Sequence, residues 1–169
     1  MIPGDSIVSY SKTLTCFVTS RNLWHRLIEF DEPVKTVEQA SRQVDAEKIV
    51  KSIVMVDSNG NPILALVPAK SRVSHKKLKK FLDVRDVRLA SHEEVLRFSG
   101  YPAGGVPPFN NIKRVIADPQ ILKNERIVVG GGDVDKLLEV RTKDVIEVSN
   151  AQIVNIIQNV AEQTHVTQP

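Results

Sequence analysis

The sequence predicts a mixed α/β fold of the α+β type, a single domain over residues 1–169 in which a strongly curved, barrel-like mixed β-sheet is surrounded by helices. Three observations predict it. The run Ile49-Val50-Lys51-Ser52-Ile53-Val54-Met55-Val56 is apolar on both alternating faces, as expected for a central strand covered on both sides. Asp57-Ser58-Asn59-Gly60-Asn61-Pro62 carries the Asn-Gly turn signal, and Ile63 to Val67 supplies the returning strand of a hairpin. Elsewhere strand-like and helix-like stretches interleave, which favours a mixed sheet with helices packed around it. A length of 169 residues allows a substantial core, and 41% hydrophobic with 25% charged residues fits an ordinary globular chain.

In chain order, residues 1–20 offer short β-compatible pieces such as Leu14 to Thr19, without clean periodicity. Ser20 can cap a short helix through His25, with Leu23, Trp24 and Leu27 at core-like spacing. Ile28 to Phe30 read as a short strand that ends in a turn at Pro33. Thr36 followed by Gln39 is a capping-box pattern and predicts a helix from Val37 to about Val44. Beyond the hairpin, Ser71 or Ser74 can cap a basic helix whose apolar face is Leu78, Phe81 and Leu82. Val84 to Leu89 reads as a short strand, and Ser91 with Glu94 opens a helix to about Phe98. Ile112–Ala117, Ile127–Val129, Leu137–Val140 and Val145–Val148 read as strands. Ile153, Ile156, Ile157 and Val160 recur at helical spacing and predict a C-terminal helix over about 150–163.

Several function classes drop out. The four histidines, His25, His75, His92 and His165, are scattered, and none lies at metal-ligand spacing from another ligand, so no metal and no cofactor is expected. Gly130-Gly131-Gly132 follows a strand but lacks both the dinucleotide fingerprint and the P-loop ending. No Gly-x-Ser-x-Gly elbow occurs, and the single cysteine, Cys16, has no convincing histidine partner. One cysteine also excludes an internal disulfide framework and favours a reducing compartment. No apolar run reaches the length of a membrane span and the N-terminal residues do not read as a signal peptide, so a cytoplasmic location without a membrane partner is expected.

The net charge of +3 permits an anionic partner without requiring one. Lys70, Arg72, His75, Lys76, Lys77, Lys79 and Lys80 fall within eleven positions, a footprint suited to nucleic-acid phosphates and equally to a plain solvated face. Lys51 interrupts an aliphatic strand face shared with Ile49 and Ile53, where an ammonium is costly unless it meets an anion, a polar cavity or a path to solvent. Gly100-Tyr101-Pro102-Ala103-Gly104-Gly105-Val106-Pro107-Pro108-Phe109 cannot continue a helix or a central strand. It reads as a shaped loop in which glycine lets another molecule approach the main chain and proline stiffens the turn; an ordinary surface connection has the same composition.

Val50-Lys51-Ser52, Ala90-Ser91 with Glu93-Glu94, Gly100-Tyr101, Gly104-Gly105-Val106-Pro107-Pro108, Asp118 and Gly130-Gly131-Gly132, in that order, resemble the YbaK/prolyl-tRNA synthetase-associated editing-domain family over about Leu27 to Val148. The resemblance implies a mixed α/β domain that hydrolyses the ester of wrongly charged tRNA, with the tRNA acceptor end as partner and an aminoacyl-tRNA synthetase as a further one. It matches Lys51 to the essential strand lysine, and Gly104, Gly105, Val106, Pro107 and Pro108 to the loop that holds the aminoacyl group. Gly130 and Gly131 match the second loop bordering the pocket, and Phe30 the aromatic at its mouth. Ser52 stands where relatives often carry Thr or Asn, at a position that bears on amino-acid specificity.

The expected activity is therefore a metal-independent, trans-acting aminoacyl-tRNA deacylase for a small amino acid such as Ala, Cys or Ser. Lys70, Arg72, Lys76, Lys77, Lys79 and Lys80 are expected to contact tRNA. The amides of Gly104 and Gly105 are candidate oxyanion donors. Lys51 can act as an ammonium that anchors a phosphate or carbonyl oxygen, or as a neutral general base; a polyanionic substrate favours the first. Two alternatives stay open, a non-catalytic tRNA-binding or synthetase-associated adaptor that keeps the pocket, and a small-ligand binding protein.

Overall fold

The computed structural model describes residues 9–159. Helix α1 (Tyr10–Ser20) precedes strand β1 (His25–Glu29), the short helix α2 (Val37–Ala40) and a 3-10 turn at Ala46–Lys48. The hairpin β2 (Val50–Asp57) and β3 (Pro62–Pro68) leads to α3 (His75–Leu82), β4 (Val87–Leu89) and α4 (His92–Ser99). Past the Gly/Pro loop come β5 (Val115–Ala117), a 3-10 turn at Pro119–Lys123, β6 (Arg126–Gly130), β7 (Lys136–Arg141), α5 (Thr142–Ser149) and the two-residue β8 (Gln152–Ile153).

The strands form two open sheets and no barrel, which corrects the barrel-like expectation. One has the order β1-β7-β6, all antiparallel, and the other β4-β2-β3-β5-β8, with β3-β5 and β5-β8 parallel. A parallel bridge between Ile49 and Val128 joins the sheets at one corner. The mixed α/β architecture itself is as expected. Apolar side chains on both faces of each sheet are covered by other elements.

The hairpin residues explain that layering. Ile63 to Val67 are all buried, and they alternate between two cores. Leu64 and Leu66 face a cluster shared with Leu14 and Val18 of α1, Val129 of β6 and Leu138 of β7. Ile63, Ala65 and Val67 face Leu78 and Leu82 of α3 with Ile156. A third, smaller cluster puts Ile28, Val128 and Leu137 against Ala40 and Val44 beside α2.

Four local expectations fail for identifiable reasons. Leu14–Thr19 is helical: Leu14 and Val18 lie one turn apart and are fully buried, so packing outweighs the β preference of the threonines. Ser20 closes that helix by donating to the Phe17 carbonyl, and His25 belongs to β1. Val145–Val148 lies within α5, where Thr142 and Val145 bury at helical spacing. The C-terminal helix over about 150–163 is absent through residue 159: Asn150 at φ 52° ends α5, and Gln152–Ile153 adds β8 to the edge of β5. Residues 160–163 of that expected helix lie outside the described residues.

Candidate active site

Where β2 leaves the 3-10 turn at Ala46–Lys48, its far edge is not fully covered. β4 pairs only with Met55–Asp57, so Lys51 to Ile53 have no strand beside them on that side. A cavity of about 250 Å³ fills the gap between the two sheets. Lys51 and Ser52 line it together with Gly104, Val106, Val129 and Gly130, and its outer wall runs from Val34 to Ala40. The strand lysine and both glycine loops therefore meet in one place.

Two carbonyl contacts explain why both loops need glycine. A Cβ on Gly105 would lie 2.3 Å from the Gly132 carbonyl oxygen, and one on Gly130 would lie 2.3 Å from the Val106 carbonyl oxygen. The Gly132 amide donates to the Gly105 carbonyl at 2.8 Å, so the loops touch main chain to main chain. Gly104, at φ +91°, is exposed on the rim. Helix α1 braces the same point from behind. Asp133 accepts from the Tyr10 amide at 3.2 Å and the Ser11 amide at 3.1 Å, while Tyr10 packs near Tyr101 and Phe17 near Phe109. Burial pushes the Asp133 carboxyl up, but its hydrogen bonds from Ser11 and Tyr10 and the charge of Lys136 outweigh that and hold it below its usual value.

Lys51 is half-buried, and its amine is pushed below the ordinary lysine value, first by burial and then by the positive charge of Arg72. No carboxylate acts against that shift. The Ser52 hydroxyl oxygen is buried and makes no hydrogen bond. Among the described residues, no group of three or more His, Cys, Asp or Glu side chains is arranged to hold a metal ion.

The remaining candidate residues divide. Pro107 and Pro108 are buried behind the rim with Gly105, and Gly131 packs against Lys136; none of these four lines the cavity. The Gly105 amide donates to the Pro102 carbonyl at 2.9 Å, so the turn already uses it and only the Gly104 amide remains a candidate oxyanion donor. Phe30 lines an adjoining hollow of about 300 Å³ that shares Val34 with the main cavity. Of the basic residues, Lys70 pairs with Glu47 at 2.6 Å and Lys77 donates to the Ile157 carbonyl at 2.7 Å, whereas Arg72, Lys76 and Lys80 are exposed and Lys79 is partly so. Lys35, Thr36 and Val37 on the cavity wall were not anticipated. Their only local signal was the capping box, which the structure contains in full.

Residues 31–148 match the family model for the aminoacyl-tRNA editing domain. The chain belongs to that family. This editing domain is 36% identical over 104 residues to the proline–tRNA ligase of Thermotoga neapolitana, covering 60% of this chain and 18% of the ligase. Against the corresponding ligase of Latilactobacillus sakei it is 31% identical over 125 residues, covering 72% of this chain and 22% of the ligase. The editing domain thus spans about a fifth of the length of these curated relatives. Among solved structures, hypothetical protein APE2540 superposes with a TM-score of 0.76 at 27% identity, over 86% of this chain and 99% of that one. A protein described as a trans-editing enzyme for prolyl tRNA synthetase superposes with a TM-score of 0.79 at 24% identity, over 91% and 100% respectively, and supports the fold.

Proposed function

We propose that this editing domain is a trans-acting deacylase that hydrolyses the ester of a tRNA charged with a small amino acid, and that the cavity holding Lys51 is its active site. The observation that carries this reading is the convergence of Lys51, Ser52, Gly104 and Gly130 on one cavity in a chain of the editing family. Water adds to the ester carbonyl, and the tetrahedral intermediate then expels the ribose oxygen, which takes up a proton to leave free tRNA and a free amino acid. Gly104, an exposed rim residue that lines the cavity, offers its amide as the candidate donor to the developing oxyanion.

Lys51 and Arg72 favour the charged end of the substrate. Lys51 feels the positive charge of Arg72, and a phosphate approaching both would offset that repulsion and favour the ammonium form of Lys51. The occurrence of a similar stretch within proline–tRNA ligases supports tRNA carrying the wrong amino acid as substrate, with a synthetase upstream. The cavity wall of Val34, Val37, Ile53, Val106, Val129 and Leu137 suits a small aminoacyl group. Incubation with tRNA charged with alanine, cysteine, serine or proline, following loss of the ester, tests the proposal. Lys51→Ala should abolish turnover in a protein with an unchanged circular dichroism spectrum. Normal turnover by that variant would refute the assignment of Lys51, and an absence of ester loss with the wild-type protein would leave the adaptor reading.

A further inference from the structure

Resting on the deacylase reading, we propose that Lys35 is a positioning residue for the same reaction: from the outer wall of the cavity its ammonium grips a phosphate near the tRNA 3′ end, which holds the ester over the site. Among the described residues that line the cavity, the charged ones are Lys35 and Lys51, and none is a carboxylate. The two stand on different walls, Lys51 on β2 and Lys35 on the segment that leads into α2. Burial and Arg72 account for the lowered Lys51 amine without a contribution from Lys35. The Lys35 ammonium therefore stands apart from Lys51 and can meet a separate part of the substrate.

The wall fixes the base of Lys35 and leaves its end free. The Val34 amide donates to the Val134 carbonyl at 2.8 Å, and Gln39 Oε1 accepts from the Lys35 amide at 2.8 Å and the Thr36 amide at 3.1 Å. Thr36 is used as well, its hydroxyl accepting from the Gln39 amide at 3.1 Å. The Lys35 side chain is exposed and forms no ion pair among the described residues, although Asp31, Glu32 and Glu38 lie within four positions of it. Lys70 and Lys136, by contrast, are held by Glu47 and Asp135. At the end of a charged tRNA the ester is neutral and a protonated α-amine is cationic, so the phosphates alone carry the charge that an unpaired lysine attracts. Lysine binds phosphate as a point charge. A grip on this non-reacting part of the substrate speeds reaction by fixing where the ester lies.

The test uses the full chain and its Lys35→Gln, Lys35→Glu and Lys35→Arg variants, with tRNA carrying whichever of the four esters the wild-type protein hydrolyses. Lys35→Gln should lower kcat/KM by about fivefold at low salt, Lys35→Glu should lower it further, and Lys35→Arg should keep it. The loss should shrink as salt rises. In binding of uncharged tRNA, Lys35→Gln should weaken affinity for the native 3′ end and match the wild type when the last two linkages are uncharged methylphosphonates. A loss that persists on the neutral linkages, or that Lys35→Arg shares, means that Lys35 acts through packing or on another group and overturns the inference. Equal kcat/KM in the wild type, Lys35→Gln and Lys35→Glu overturns it too, while leaving the deacylase reading in place. A wild-type protein that hydrolyses no aminoacyl ester overturns both.

Discussion

Lys51 carries a charge that the fold does not reward. Its amine lies below the ordinary lysine value because burial and Arg72 both disfavour the ammonium. A lysine depressed on folding destabilises the native state while it is protonated. The penalty is full below its folded pKa and fades as pH rises toward 10.5. Lys51→Met should therefore melt no lower than the wild type at neutral pH while losing deacylation, and a clearly lower melting temperature would mean that the amine supports the fold. Asp133 has the opposite sign. Its depressed carboxyl contributes stability above its ordinary 3.8 and loses it as pH falls through the lower folded value. Asp133→Asn should flatten that acid limb, read as melting temperature between pH 5 and pH 2. From sequence, Lys51 was legible because a cation within an aliphatic strand is conspicuous. Asp133 was not, since its partners Tyr10 and Ser11 lie more than 120 positions away.

At the scale of elements, the two glycine loops behave as one object. Gly130→Ala would drive a methyl into the Val106 carbonyl, and Gly105→Ala would do the same to Gly132, so each should cost several kcal/mol or displace the rim with loss of turnover. Gly60 provides the control. It has φ +83° with open space around it, so Gly60→Ala should cost about 1 kcal/mol and leave turnover intact. Denaturant melts of the three variants separate the two effects. The loops were visible as composition, and the hairpin, both capping boxes and the basic helix were visible as pattern. Helix α1 was obscured by its threonines, and β8 by isoleucines whose spacing imitates a helix. In each of these cases contacts distant in sequence outweighed the local preference.

Across the whole molecule, carboxylates help tie the segments outside the matched residues 31–148 to the domain. On one side Asp133 receives the start of α1. On the other, the buried Asp118 accepts from the amides of Ile156 at 2.9 Å and Ile157 at 3.3 Å. The same stretch then fixes the approach to α3, because the Ile156 carbonyl accepts from the Ser74 amide, the Arg72 carbonyl accepts from the Gln158 amide, and Lys77 reaches the Ile157 carbonyl. Asp118→Ala should cost about 2–3 kcal/mol through the amides it leaves unpaired, measured by denaturant titration. Under the proposed deacylase function, the charges left exposed around that approach would set the salt dependence of tRNA binding. Lys76→Ala/Lys80→Ala should reduce the slope of log affinity against log salt by about two, and an unchanged slope would return α3 to the solvated-face reading.

The paired acids limit how far the protein can be pared down. A fragment cut at the borders of the family match would deprive Asp118 of the Ile156 and Ile157 amides, and would let the glycine rim swing free of its backing. Anyone grafting this editing domain onto another protein should carry both flanks along, since the rim of the pocket is backed from outside the region that homology alone would select.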